Sequence, residues 1–189
     1  MEEKGREVVG QSFKISKSDH DLLYKLLVYT IGDRENSERL GLCLQKGIML
    51  TGPVGCGKTS IMKLLRYFQA QQERYILKSC REISYEFISK GFDVISKYST
   101  HNLDHPKTWC FDDLGTEQNL KYYGNECNVM AEILLNRYEL FIATGTVTHL
   151  TTNLSASEIE TYYGNRVRSR MRQMFNLIFF SKDANDKRK

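Results

Sequence analysis

Two prolines in 189 residues, no uninterrupted run of about 18 apolar residues and no cysteine pair at C-x-x-C spacing set the first limits on this chain. With so little proline, no low-complexity tract and no internal repeat, nothing marks a linker or a second folded domain. The lack of a long apolar run excludes a membrane-spanning helix of the usual kind. The opening MEEKGREVVGQ lacks the charged-then-apolar order of a secretory leader. The expectation is a soluble, cytoplasmic protein with no membrane partner. The five cysteines (Cys43, Cys56, Cys80, Cys110, Cys127) are widely spaced and odd in number, so buried thiols are expected rather than a disulfide or metal framework. For the four histidines, His20, His101, His105 and His149, neutral surface or core roles are expected. A net charge of +4 permits a nucleic-acid partner without demanding one, and Lys187, Arg188 and Lys189 supply part of it at the end of the chain.

What is present is alternation. Residues 1–19 read as a mobile arm, 20–181 as one α/β domain and 182–189 as a flexible basic tail. Leu22, Leu23, Leu26 and Leu27 recur at helical spacing from Asp21 onward, and a polar break at Gly32–Arg39 follows. Gly47–Thr51 reads as a buried strand, and Lys58–Gln71, with Ile61, Met62, Leu64, Leu65 and Phe68, as a helix. A second strand is expected at Tyr75–Ser79, then a helix through Ile83, Phe87 and Ile88 that continues past Gly91. A third strand covers Thr108–Phe111 and closes on two acids. A long helix runs from Val129 to Ile142, a fourth strand over Val147–Thr152 and a fifth over Leu177–Phe180. Such alternation implies a parallel sheet covered on both faces.

GPVGCGKT, Gly52 to Thr59, fits G-x-x-x-x-G-K-[ST] and falls between a predicted strand and a predicted helix. Glycines leave consecutive backbone N–H groups open toward a phosphate chain at the positive end of a helix dipole. Gly52, Pro53, Val54, Gly55, Cys56, Gly57, Lys58, Thr59 and Ser60 are therefore candidate nucleotide-binding residues. ATP with Mg²⁺ is the expected ligand. Lys58 would reach the β- and γ-phosphates, and the Thr59 hydroxyl would join the metal.

The acids closing the third strand, Asp112 and Asp113, diverge because side chains alternate along a strand. Asp112 is the candidate for the metal and Asp113 for polarising the attacking water. Glu117, just beyond in Gly-Thr-Glu, competes with Asp113 for the role of base. Asn153, after Thr151-Thr152, suits a neutral contact to the γ-phosphate, though a helix N-cap explains it equally well. Near the end, Arg166 and Arg170 share one helix face and Arg168 and Arg172 another, either a solvated face or a cation offered to a neighbour's phosphate.

With GIMLTGPVGCGKT, CFDDLGTE, LTTNL and YGNRVRSRMR in that order, the chain resembles the DnaC/IstB-type branch of the AAA+ ATPases over about residues 20–181. The resemblance implies a P-loop NTPase three-layer sandwich with a five-stranded parallel sheet in the order 5-1-4-3-2, Walker A at Gly52–Thr59, Walker B at Asp112 and Asp113, and sensor 1 at Asn153. It implies that Arg170, supported by Arg166, is an arginine finger acting on a second copy of the chain. It makes Arg137 another basic position of an interface. The chain stops after the fifth strand, so an AAA+ core without a C-terminal lid is expected. Members of the branch form ATP-bound rings or spirals, often on DNA, and load a replicative helicase or assist a transposase. An added helix of the branch matches Arg81–Tyr98, where Arg81, Lys90 and Lys97 interleave with Tyr85, Phe87, Phe92 and Tyr98. Cations and aromatics so mixed suit a single-stranded DNA site, and a buried core with solvated lysines is the other reading. The functional expectation is an ATPase that assembles on DNA and delivers or remodels a partner. The alternative is an ATP-gated binding switch with negligible hydrolysis. A small-molecule kinase is disfavoured, because residues 143–154 lack the arginines of a phosphate-closing lid.

Overall fold

A computed structural model describes residues 1–99, 106–117, 120–122 and 125–187, so His101, His105, Arg188 and Lys189 lie outside the described residues. Helices α1 (Glu2–Val8), α2 (His20–Thr30) and α3 (Arg34–Arg39) precede strand β1 (Gly47–Thr51). Helix α4 (Lys58–Leu65) leads to β2 (Ile76–Ser79), followed by α5 (Cys80–Lys90) and α6 (Asp93–Ser99). Strand β3 (Trp109–Leu114) is followed by a short antiparallel pair, β4 (Leu120–Tyr122) and β5 (Asn125–Cys127). Helix α7 (Val129–Thr144), β6 (Thr148–Thr152), α8 (Ala156–Met174) and β7 (Phe175–Phe179) complete the domain.

The main sheet has the order β2-β3-β6-β1-β7, all parallel. Numbering these five strands by chain position gives 5-1-4-3-2, the expected order. Alternation along each strand makes two cores. Ile48, Leu50, Cys110 and Ile178 pack under α2 and α4, while Trp109, Phe111 and Leu150 pack under α5, α6, α7 and α8. Burying side chains of this size contributes about 1.5–3 kcal/mol each. All five cysteines carry free thiols; Cys56, Cys80 and Cys110 are buried as expected, whereas Cys43 and Cys127 are half-buried. No helix of the described residues is long and apolar enough to cross a membrane.

Several boundaries differ from the sequence reading. The expected arm contains α1, whose Gly5 is covered by the Phe13 ring and whose Glu2 carboxylate accepts from the Ile15 N–H at 3.2 Å. The polar break holds α3, nucleated by Asp33, which accepts from the Asn36 N–H at 3.1 Å. Hydrophobic periodicity was blind to both because neither helix has an apolar stripe. The helix after the phosphate loop ends at Leu65 and tightens into a 3₁₀ turn at Arg66–Phe68. Gly91, with φ of 62°, separates α5 from α6 where one continuous helix was expected.

Candidate functional site

In a parallel sheet the groups beyond the carboxyl ends of adjacent strands share one edge, and here β1, β3 and β6 bring their ends together. The loop after β1 carries the phosphate-loop pattern into α4. Gly57 is the N-cap of that helix and adopts φ of 101°, a left-handed conformation that a Cβ would strain. Lys58 opens the helix and folds back, its ammonium donating to the carbonyls of Gly52 at 2.9 Å and Pro53 at 2.8 Å. The side chain is buried and forms no ion pair among the described residues, so its charge is met by carbonyl oxygens alone. A buried cation in that condition fits an anionic ligand.

The acids come from an irregular end of β3. Its register with β6 shifts between Phe111 and Leu114, and Asp113 adopts φ of 56°. The bulge sends the two carboxylates apart. Asp112 is buried and accepts from the Thr59 hydroxyl, 3.0 Å from each carboxylate oxygen, and from Thr151 Oγ1 at 2.7 Å. Burial pushes its pKa up, the neighbouring Asp113 adds to the rise, and the two hydroxyls hold it back. A carboxylate and a hydroxyl side by side suit a hard divalent cation such as Mg²⁺. Among the described residues no three His, Cys, Asp or Glu gather as a metal cluster, so any cation there would take its other ligands from water and phosphate.

Asp113 turns instead into a cavity of about 380 Å³ that is also lined by Lys58, Thr59, Ser60, Thr116 and Asn153, with Val54, Gly55 and Gly57 on the loop side. Asn153 is exposed at that cavity, and the helix N-cap beside it is Ser155, not Asn153. Ser155 and Glu158 form a reciprocal capping box. That frees Asn153 from the structural duty that competed with a contact at the site. Glu117 is occupied: its carboxylate accepts from the Gly115 N–H at 2.9 Å and from the Tyr163 hydroxyl. Cys56 lies buried beneath the loop.

Sequence reasoning assigned no role to Thr151, yet it ties the site together. Its hydroxyl donates to Asp112 and accepts from the Asp113 N–H at 2.8 Å, so one side chain fixes both acids. Its position in Thr-Thr-Asn was the available signal. Thr152 does similar work one residue on, donating to the Leu114 carbonyl at 2.7 Å.

No protein-family model matches the chain, and no curated protein matches it either. Solved structures do. The DnaC helicase loader superposes with a TM-score of 0.62 at 17% identity, over 89% of this chain and 93% of that one. The chain has the AAA+ fold. DnaI matches with a TM-score of 0.58 at 17% identity, over 95% of this chain and 93% of its own. The replication initiator DnaA bound to AMPPCP and single-stranded DNA matches with 0.57 at 14% identity, over 90% of this chain and 48% of its own. At these identities the likeness is one of fold.

Within this AAA+ fold, α8 carries the arginines and kinks at Gly164. Arg166 is exposed, and the Arg170 guanidinium stacks 4.4 Å from the Tyr138 ring centroid while its buried Nε has no hydrogen-bond partner among the described residues. Neither lines the cavity of its own chain. Arg168 is paired with Glu160. Arg137 is not an interface residue: it is 1% exposed, and its guanidinium donates to Thr148 Oγ1 and to the carbonyls of Ser99, Lys107 and Val147. It ties together chain segments entering β3 and β6, at the sheet edge opposite the cavity. The α5–α6 segment divides. Phe87 and Tyr98 are core, whereas Arg81, Tyr85, Lys90 and Phe92 are exposed and Lys97 pairs with Glu86 at 2.7 Å.

Proposed function

We propose that the chain is a Mg²⁺-dependent ATPase of the DnaC/IstB kind, whose ATP-bound form assembles with copies of itself on DNA and delivers or remodels a partner in replication or transposition. The observation that carries this reading is the convergence of Lys58, the Thr59–Asp112 pair, Asp113 and Asn153 at one cavity. The polyphosphate would lie along the loop from Gly52 to Ser60, and Lys58 would exchange its two carbonyl partners for phosphate oxygens. Magnesium, when bound, would spread the charge of the β- and γ-phosphates. Thr59 and Asp112 would hold it, with Thr151 keeping Asp112 in place. Asp113 would orient the attacking water and accept its proton, because the carboxylate of Glu117 is held by the Gly115 amide and Tyr163. Asn153 would orient the γ-phosphate as a neutral donor.

Arg170, with Arg166 beside it, stands outside the cavity of its own chain, as a residue serving a neighbouring copy must. The fold shared with a helicase loader, and with an initiator holding AMPPCP and single-stranded DNA, supports a replication role. A replicative helicase or a transposase is the fitting partner class. Single- or double-stranded DNA would meet the exposed face of α5 and α6, where Tyr85, Ile88 and Phe92 lie beside Arg81 and Lys90. A second reading, an ATP-gated switch with negligible hydrolysis, draws on the same placement of Arg166 and Arg170, since a chain that never assembles would lack that cation.

ATP turnover measured with and without single-stranded DNA, over a range of protein concentrations, separates the two readings. The ATPase reading expects turnover that rises with concentration, is absent in Lys58→Ala and Asp113→Asn, and loses its concentration dependence in Arg170→Ala. Turnover that stays negligible under every condition, with nucleotide still bound, would favour the switch.

A further inference from the structure

The chain after β7 returns to the site. The Phe180 N–H donates to the Thr51 carbonyl at 2.9 Å, and the Ala184 N–H donates to the Ser181 carbonyl at 3.1 Å, turning the chain back. The Lys187 N–H then donates to the Gly55 carbonyl of the phosphate loop at 3.0 Å. The Lys187 ammonium pairs with Asp19, whose side chain is 5% exposed, and lies 5.2 Å from the Phe180 ring centroid. The Asp186 carboxylate packs so closely on Gly55 that a Cβ there would stand 2.2 Å from its oxygen. Gly55 occupies a position that the phosphate-loop pattern leaves free, and docking of the tail gives a glycine there a use of its own.

We propose that residues 181–187 form a strap over the phosphate loop, latched by the Lys187–Asp19 pair, which closes in the nucleotide-free chain and is displaced when nucleotide binds. The inference rests on the nucleotide reading above and adds a regulatory element to the same site. Lys187 lines the cavity that the nucleotide would enter, so the closed strap narrows it. Asp186 sets a negative charge beside Gly55 on the loop that would receive a polyphosphate, and the two like charges repel. The observed affinity is then the intrinsic affinity multiplied by the fraction of chains with the strap open. Asp19 belongs to the segment leading into α2, so anything that engages that segment would shift nucleotide affinity without touching the loop.

The test titrates full-length protein with a fluorescent ATP analogue and Mg²⁺, comparing the native chain with Lys187→Gln, a deletion of residues 182–189, and Lys58→Ala. With the strap closed in about nine chains of ten, both the deletion and Lys187→Gln bind about tenfold tighter than the native chain. In parallel, trypsin cleaves the native chain after Lys182 faster when the analogue is bound. Equal affinity in the deletion and the native chain would overturn the strap. So would weaker binding by Lys187→Gln, since Lys187 would then be a ligand of the nucleotide. If the native chain and Lys58→Ala bind alike, or none binds, the nucleotide reading itself falls and the strap with it. Lys58-dependent binding that is indifferent to the tail removes the strap alone.

Discussion

The two edges of the sheet bury charged or titratable side chains in opposite ways. At the edge where β3 and β6 begin, Arg137 donates to a hydroxyl and three carbonyls, and His149 is buried with its Nδ1 accepting from the Ile48 N–H at 3.0 Å. Burial lowers the Arg137 pKa to about 10 and, with the nearby Arg137 charge, the His149 pKa to about 3. At the other edge, Lys58 borrows two loop carbonyls and Asp112 is held by hydroxyls that can equally serve a cation. Both edges satisfy their buried polar groups. They differ in whether a ligand could take a partner's place. Arg137 is locked among segments of several elements, whereas Lys58 bonds only its own loop.

Breaking each edge in turn should therefore separate stability from binding. Arg137→Met strands the carbonyls of Ser99, Lys107 and Val147, and we expect a loss of about 3–4 kcal/mol of stability. Chemical denaturation measures it, and the folded fraction should bind nucleotide with native affinity. Lys58→Ala should do the reverse, reducing Mg-ATP affinity at least about 100-fold, or ~2.7 kcal/mol. Its denaturation midpoint should stay close to native, because the lost bonds join a side chain to its own loop.

The pH dependence of stability reads the first edge through His149. Unfolded His149 takes up a proton near its ordinary pKa of 6.5, whereas in the folded chain it does so near about 3. Between those values the unfolded state binds more protons, so the His149 contribution is complete above about pH 6.5 and is lost as pH falls, by up to about 1.4 kcal/mol per pH unit. His149→Asn, which keeps an acceptor near Ile48, should flatten that slope in unfolding curves taken from pH 7 to 4. The smallest effect belongs to Thr151→Val, which removes one hydroxyl from Asp112 and one acceptor from the Asp113 N–H. A loss of about 1–2 kcal/mol in Mg²⁺-dependent nucleotide affinity is expected, or roughly tenfold. Isothermal titration with and without Mg²⁺ would show it, and the Mg²⁺-free affinity should be nearly unchanged.

The sequence exposed much of the second edge and little of the first. Gly52–Thr59 and Asp112–Asp113 are contiguous motifs, and their neighbouring strands could be read from apolar runs, whereas the strand order, which agrees with expectation, was implied by the resemblance those motifs carry. Thr151 was overlooked because a threonine in a strand is ordinarily a pleat residue. Only its position opposite the β3 bulge gives it two acids to hold. Arg137 was misplaced for a related reason: an arginine near the end of a long helix looks like surface, and its burial depends on carbonyls from Ser99, Lys107 and Val147, distant in sequence. The docking of Lys187 on Gly55 and Asp19 had no local pattern at all, since a charged tail reads the same whether it is docked or solvated.

The central claim is that the cavity around Lys58 and Asp113 is one half of a site, completed by Arg170 of a second copy. Mixing Arg170→Ala with Asp113→Asn tests it most directly. Each variant alone should lack assembly-dependent turnover, the first for want of a finger and the second for want of a base. In an equal mixture, the intact cavity of the first meets the intact arginine of the second, and ATP turnover should reappear at about a quarter of the native rate if copies assort at random. Turnover in the mixture no greater than the sum of the separate variants, with both folded and nucleotide-bound, would contradict it.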